Sequence, residues 1–350
     1  MDYSQMLVHE DISLIEAMNV LDKTAQKILF VVDEHRHLLA CITDGDIRRH
    51  LLRNGSMEAT AKIFANYHPL SIHVDQLDRA REFMRSQDIT AVPVLREDGT
   101  VKMIVKNDSS AKLHPHLPEN VPVVINAGGK GTRLYPYTRI LPKPLIPIGD
   151  DPIIELIINR FRDVGCDQFY MIVNHKRNMI KAYFSEQKYD YHLEFVDEID
   201  PLGTGGGLSL LKGSIRNTFF FVNCDTIIDD NLCDIYKEHK RSGNLITMIC
   251  ALKEYVVPYG VVETTEKGEI AALREKPHLS FFTNTGCYIV EPEVLEHMKQ
   301  GENIDFPSLI ERERLNGGRV SMYPISEKAW LDMGQFDAME RMKERLGIHD

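Results

Sequence analysis

A chain of 350 residues is long enough for two domains, and its 43% apolar and 27% charged residues are those of an ordinary globular protein. The net charge of −11 argues against a general nucleic-acid or membrane-surface role, because both partners are polyanionic and need a basic face. The six cysteines (Cys41, Cys166, Cys224, Cys233, Cys250 and Cys287) show no CxxC pairing or His-rich ligand spacing, no apolar run reaches the length of a membrane span, and the N-terminus has no signal-peptide profile. Buried, reduced thiols in a cytoplasmic protein are therefore expected.

The first module, residues 1–115, repeats itself. A shift of 62 positions (108 − 46) lays KILFVVDEHRHLLACITDGD over ITAVPVLREDGTVKMIVKND. Phe30, Val32, Leu39, Cys41 and Ile42 then fall on Val92, Val94, Val101, Met103 and Ile104. The preceding amphipathic helices follow, with Ile15, Met18 and Leu21 over Leu77, Ala80 and Phe83. Each copy, about 1–60 and 61–112, reads as helix, strand, turn, strand, helix, and neither is large enough to bury a good core alone.

This duplication resembles a tandem pair of cystathionine-β-synthase (CBS) domains. In the first copy Thr43 and Asp46 match the Thr/Ser-x-x-Asp motif that holds the ribose of a purine nucleotide in such domains, which implies a regulatory nucleotide site. The same two residues also suit a plain cap on the helix that follows, and both readings stay open. In the second copy the equivalents are Val105 and Asp108, so the hydroxyl is lost and one competent site at most is expected. CBS pairs associate through their helices, which implies a homodimer.

Residues 109–122 carry Pro115, Pro118 and Pro122 with little apolar period, the pattern of an extended linker. The second module, 116–350, alternates strand-like and helix-like segments in the manner of an α/β domain. Its first apolar run, Val121 to Ile125, reads as a buried strand leading into Gly128, Gly129 and Gly131, whose missing side chains let backbone N–H groups close around an anion. Arg133 and Lys143 add two cations, and Pro136, Pro142, Pro144 and Pro147 stiffen the loop between and beyond them. Asp151-Pro152 is expected to open a helix as N-cap and first-turn proline, with Ile153, Ile154, Ile157, Ile158 and Phe161 inward and Gly165 as its stop. Gln168 to Val173 is the next strand. Phe219 to Val222 has the unbroken apolar character of a central strand covered on both faces, and Asn223-Cys224-Asp225 follows at its carboxyl end, where α/β sheets bind ligands.

The glycine segment fits neither the GxGxxG nor the GxxxxGK[ST] phosphate-loop spacing. It resembles the signature of sugar-1-phosphate nucleotidyltransferases, a G-G-x-G-T-R-L run followed by P-K-P, matched by Gly128–Leu134 and Pro142–Pro144. Asn126 departs from the apolar residue usual before that run and sets a polar side chain beside the presumed base pocket. The resemblance covers essentially all of residues 120–345, with its motifs in family order. It implies a Rossmann-like α/β domain with a mixed central sheet. It further implies nucleotide binding by Ala127, Gly128, Gly129, Gly131, Thr132, Gly203 and Thr204, the last two in PLGTGGG, a run that would otherwise be a flexible loop. Sugar binding is implied for Tyr259, Gly260, Glu275, Asn284 and Thr285. Catalytic cations are implied at Arg133, Lys143 and Lys276, although Glu275-Lys276-Pro277 would by itself pass for ordinary surface. Asp225, with Asp332 of the Trp330–Gly334 segment, is implied to hold Mg²⁺, a cation that takes oxygen ligands.

On this reading a sugar 1-phosphate oxygen attacks the α-phosphorus of an NTP in line and pyrophosphate leaves. No side chain need act as nucleophile or general base, since the attacking phosphate is already ionised. Arg133→Ala or Asp225→Ala is then expected to cost orders of magnitude in kcat with the fold retained. A CBS pair ahead of such a domain resembles the glucosamine-1-phosphate guanylyltransferases of bacterial legionaminic acid synthesis, which implies GTP and glucosamine 1-phosphate. Mannose or heptose 1-phosphate with GTP, glucose 1-phosphate with UTP, CTP or dTTP, and an inactive nucleotide-sensing scaffold are the alternatives.

Overall fold

The computed structural model describes residues 3–24, 27–53, 55–87, 89–106, 116–118, 121–186, 188–334 and Met342. Contacts divide the chain into two units, Met1–Leu113 and His114–Asp350. Of the expected linker only 116–118 and 121–122 are among the described residues, and Asp108 and the closing helix of the second repeat lie outside them. Where it is described, the linker is not free: Leu117 is buried and its N–H donates to the Val164 carbonyl at 2.8 Å, inside the second unit.

The first unit holds β1 (Leu7–Val8), β2 (Ile28–Val32), β3 (Leu38–Thr43), β4 (Ile72–His73), β5 (Ala91–Leu95) and β6 (Val101–Lys106). They form two three-stranded sheets, β1-β2-β3 and β4-β5-β6. Each is an antiparallel hairpin with a two-residue strand laid parallel to its first member. The duplication is present, but its offset is 63 rather than the expected 62. The strand irregularity falls between Val31 and Val32 in one hairpin and between Val94 and Leu95 in the other (94 − 31 = 63). The helices agree, since buried Ala17 and Leu21 map at that offset onto buried Ala80 and Met84. Matching apolar letters could not separate the two offsets, because β2 and β5 bury both of their faces. Phe30, Val32 and Cys41 share one cluster with Ala91, Val101 and Ile104, so the repeats close a core jointly.

The second unit contains β7 (Val123–Asn126), β8 (Pro147–Ile148), β9 (Asp151–Pro152), β10 (Gln168–Val173), β11 (His192–Asp197), β12 (Phe219–Asn223), β13 (Thr226–Ile228), β14 (Ile246–Val256), β15 (Val261–Thr264), β16 (Ile270–Arg274), β17 (His278–Val290), β18 (Val320–Ser326) and β19 (Trp330–Asp332). Seven strands form a mixed sheet in the order β11-β10-β7-β12-β17-β14-β18. β11, β10, β7 and β12 run parallel, β17 is antiparallel to β12 and β14, and β18 is parallel to β14. Phe219 to Val222 are at most 1% exposed, as a central strand covered on both faces requires. One face packs on the helix Ile153–Arg162 through Ile153, Ile154, Ile157, Ile158 and Phe161. The other packs Phe221, Tyr288 and Phe306 as stacked rings.

One expectation at that helix needs correction. Asp151 and Pro152 do not open it; they pair with Pro147 and Ile148 as β9, and Pro152 becomes the N-cap. The expected stop is present: past Arg162, Gly165 sits at φ +93° and donates its N–H to the Arg162 carbonyl at 2.9 Å, while the Cys166 N–H donates to that of Phe161 at 3.1 Å, the double bond of a glycine-capped helix end. All six cysteines are buried and free, and burial pushes the thiols of Cys41, Cys166, Cys224 and Cys250 up to between about 11 and about 12. No helix among the described residues is long and apolar enough to cross a membrane.

Candidate functional site

The site begins where parallel strands end. β7 runs beside β10 and β12; Asn126 is level with Ile172 and Asn223, and β10 continues one residue to Val173. The Ala127 N–H still donates to the Ile172 carbonyl and the Leu134 N–H to that of Gly131. Between them, from Gly128 to Thr132, no backbone N–H has a protein acceptor among the described residues. Of these glycines, Gly131 is sterically obligatory. Gly131 sits at φ +63°, and a Cβ there would lie 2.9 Å from the Thr138 methyl and 3.1 Å from Lys143 Cβ. A Cβ on Gly128 would lie 2.8 Å from Glu198 Oε2. A turn whose backbone N–H groups have no protein acceptor can close around an anion.

Four charged groups meet beside it. Lys143, only 9% exposed, pairs through Nζ with Oδ2 of Asp225, itself 8% exposed. β13 pairs with β19, Thr226 opposite Asp332, and the Met333 N–H donates to the Asp225 carbonyl at 2.9 Å. This pairing brings together Asp225 and Asp332, which are 107 positions apart in the sequence (332 − 225). Burial, and then the Asp225 carboxylate, push the Asp332 carboxyl above its usual range, with Lys143 and the exposed Arg133 pulling the other way. The chemistry fits a hard divalent cation: two oxygen donors repel one another, and a bound cation would relieve that repulsion. Lys143 already shares one of the Asp225 oxygens.

Gly203 and Thr204, expected beside the base, lie in a short helix, Gly203–Gly206, facing the segment 304–306. Gly203 has φ +82° and comes within 2.8 Å of the Ile304 carbonyl at its would-be Cβ. The Thr204 hydroxyl accepts from the Phe306 N–H at 3.0 Å, and its carbonyl accepts from Asn126 Nδ2 at 3.3 Å. The unusual Asn126 therefore ties the glycine loop's entry to this helix. Sequence reasoning missed Glu198, Asn174, His175 and Lys176, which follow β10 and β11. Asn174 Nδ2 donates to the Glu198 carbonyl, and Lys176 Nζ reaches the carbonyls of Thr138, Arg139 and Ile140. Burial and then Lys176 and Lys130 hold the His175 imidazole below its usual range, a mark of the positive character here. Their position at the ends of parallel strands was the only available signal.

The residues expected on the sugar side divide into two groups. Gly260 and Glu275 flank the hairpin β15–β16, and a Cβ on Gly260 would sit 3.0 Å from Glu275 Oε2. Tyr259 and Lys276 are exposed beside them, and Lys276 makes no hydrogen bond or ion pair among the described residues. Asn284 Nδ2 donates to the Tyr288 hydroxyl at 2.7 Å, and its Oδ1 accepts from the Gly286 N–H at 2.9 Å. Thr285 departs from expectation. It is 3% exposed, its hydroxyl donates to the Ile249 carbonyl at 2.8 Å, and its carbonyl accepts from Thr226. It braces the strand next to Asp225 instead of offering its side chain to a ligand.

In the first unit Thr43 and Asp46 form a complete capping box on the helix Asp44–Leu52. Asp46 Oδ2 accepts from the Thr43 N–H and hydroxyl at 2.9 and 2.6 Å, and Arg49 pairs with Oδ1. The capping reading is thus realised.

Comparison with known proteins adds independent findings. Residues 122–347 match the Nucleotidyl transferase family and residues 4–53 the CBS domain. The chain is similar to the UTP–glucose-1-phosphate uridylyltransferase of Synechocystis, 32% identical over 61% of this chain and 60% of that protein. It is also similar to the mannose-1-phosphate guanylyltransferase of Mycobacterium tuberculosis, 28% identical over 61% of each chain. A Bacillus anthracis crystal structure that carries a glucose-1-phosphate thymidylyltransferase name shares the fold at a TM-score of 0.50 and 20% identity, over 64% of this chain and 94% of that one. The chain spans about 60% of the length of the curated relatives it matches.

Proposed function

Because the chain belongs to the Nucleotidyl transferase family and carries a CBS domain at its N-terminus, we propose that it transfers a nucleotidyl group from an NTP to a sugar 1-phosphate, releasing pyrophosphate. The observation that carries this reading is the run of acceptor-free backbone N–H groups from Gly128 to Thr132, closed against Lys143 beside the Asp225–Asp332 pair. Both reactants are anions, and their approach costs Coulomb energy that fixed cations must offset. The N–H cradle and Arg133 hold the departing phosphates. Lys143, oriented by Asp225, holds the α-phosphate, and Lys276 on its exposed hairpin holds the sugar phosphate. Asp225 and Asp332 would hold Mg²⁺, which when bound neutralises phosphate charge. Tyr259, Gly260, Glu275 and Asn284 line the sugar, while Thr285 positions the strand beneath. Alignment of the two phosphates supplies much of the acceleration.

The favoured substrates are GTP and glucosamine 1-phosphate, on the strength of the domain order and motif wording. Thr43 and Asp46 form the candidate site for a regulatory purine nucleotide, which must take over hydrogen bonds that the cap now uses, and the CBS helices form the candidate dimer contact. Pyrophosphate release measured across a panel of NTPs and sugar 1-phosphates tests the proposal. Release with glucosamine 1-phosphate and GTP above all other pairs is expected. Nucleotide binding without release, on every sugar phosphate tried, would overturn the reading in favour of a scaffold.

A further inference from the structure

Lys176 is a cation whose whole donor capacity is spent inside the protein. It stands between β10 and the helix Arg177–Ser185, past the line where the parallel strands end. Its Nζ donates to the carbonyls of Thr138, Arg139 and Ile140 at 2.9, 2.6 and 3.0 Å. An ammonium has three N–H donors, so these carbonyls use them all and leave none for a substrate. The carbonyls belong to the short helix Tyr137–Ile140, and the last oxygens of a helix have no partner within it. Lys176 also sits at φ +54°, a left-handed conformation that a non-glycine residue keeps only where its surroundings fix it.

The anchored segment leads to both halves of the phosphate site. Thr138, 2% exposed, donates its hydroxyl to the Gly131 carbonyl at 2.8 Å, where the Leu134 N–H also arrives. At the start of the glycine turn the His175 N–H donates to the Gly128 carbonyl at 3.4 Å. A trans peptide is planar, and its C=O and N–H point opposite ways. Holding the carbonyls of Gly128 and Gly131 therefore aims the N–H groups of Gly129 and Thr132 away from those anchors. After Ile140 the chain passes through Leu141 and the φ-restricted Pro142 to Lys143. Resting on the nucleotidyl-transfer reading of this site, we infer that Lys176 is a positioning residue: it fixes the segment 138–140, and through it the glycine turn and Lys143, in the geometry that in-line transfer needs. It touches neither reactant. A displacement of about 1 Å in the turn or in Lys143 would misalign the phosphates.

Lys176→Met keeps the aliphatic stem and removes the ammonium. Well below its Tm, it should lower kcat for pyrophosphate release about tenfold or more, with KM for the sugar phosphate little changed. It should also weaken binding of inorganic pyrophosphate in Mg²⁺ buffer about tenfold, read by calorimetry on the full chain. Thr138→Val leaves Lys176 in place and cuts the tie to Gly131, so it should lower kcat with the same unchanged KM. In the double variant the two losses should not multiply, since both break one chain of contacts. Undiminished kcat in Thr138→Val overturns the inference even where Lys176→Met does not fold. A lower Tm with kcat intact in Lys176→Met also overturns it, leaving a stabilising tie alone, and so do losses that multiply in the double variant. If the unaltered chain binds pyrophosphate yet releases none from any NTP and sugar phosphate, the transfer reading falls. Lys176 then stands if Lys176→Met loses pyrophosphate affinity and falls if that affinity is kept. No pyrophosphate binding by the unaltered chain overturns both.

Discussion

On the proposed reading Arg133 faces the phosphates directly and Asp225 acts through Lys143 and Mg²⁺, so their substitution should behave differently. Arg133 is exposed and makes no ion pair among the described residues, so Arg133→Ala should lower kcat about a hundredfold or more while leaving Tm unchanged. Asp225 is the partner of a buried lysine, and its removal strands that charge. Asp225→Ala should therefore cost about 3 kcal/mol of stability in addition to activity, read by denaturant titration. The fold is thus expected to be retained in Arg133→Ala and weakened in Asp225→Ala. Thr285→Val tests the bracing role: a Tm fall of several degrees with KM for the sugar phosphate little changed is expected, because a buried carbonyl loses its donor. A large rise in KM with Tm intact would instead place the hydroxyl on the sugar.

Among whole elements, the helix Leu232–Ser242 is tied to the end of β17 through Glu291. Burial by itself raises the Glu291 carboxyl, but hydrogen bonds from His239, Lys240 and Thr218 outweigh it and hold the value down to about 2. The unfolded-state value is about 4.3, so the stability this carboxylate contributes is fully present above that pH and is lost as pH falls towards 2. Glu291→Gln should accordingly lower stability at pH 7, and the gap from wild type should close between about pH 4.3 and about pH 2 in acid-titration melts. A gap constant across that range would contradict the assignment. The helix Ile153–Arg162 and the strands β10 and β12 were legible from apolar pattern in the sequence, whereas the helix Leu232–Ser242 and β17 were not read from it. The β8–β9 hairpin was not legible, because two residues beside prolines carry no period, and its pairing partner was unknown until the chain folded back.

On the scale of the whole molecule, each unit makes its own demand. The first needs two repeats to close one core, and its Thr43–Asp46 cap anchors the helix Asp44–Leu52. Asp46→Ala should destabilise this unit by about 1 kcal/mol and abolish any purine-nucleotide-dependent change in the rate of pyrophosphate release. A rate response that persists would remove Asp46 from the regulatory reading. The second unit is assembled by register: β7 and β12 end level at Asn126 and Asn223, with β10 one residue longer, and the glycine loop and Asp225 follow directly past that line.

The residues that impose a backbone shape were readable from the chain alone: the glycine loop from Gly128 to Gly131, the apolar run Phe219 to Val222 and the doubled helix–strand pattern all act through local geometry or burial. Folding alone decided that Asp332 lies across from Thr226 and so beside Asp225, that Lys143 is buried against that carboxylate, that Thr285 turns inward, and that the repeat offset is 63. Those facts come from pairing between segments far apart in the chain. The side-chain pattern along one strand says which face is apolar, but not which strand lies beside it or in what register. Glu198 is the clearest case, an acid whose surroundings exist only once β7, β10 and β11 stand side by side.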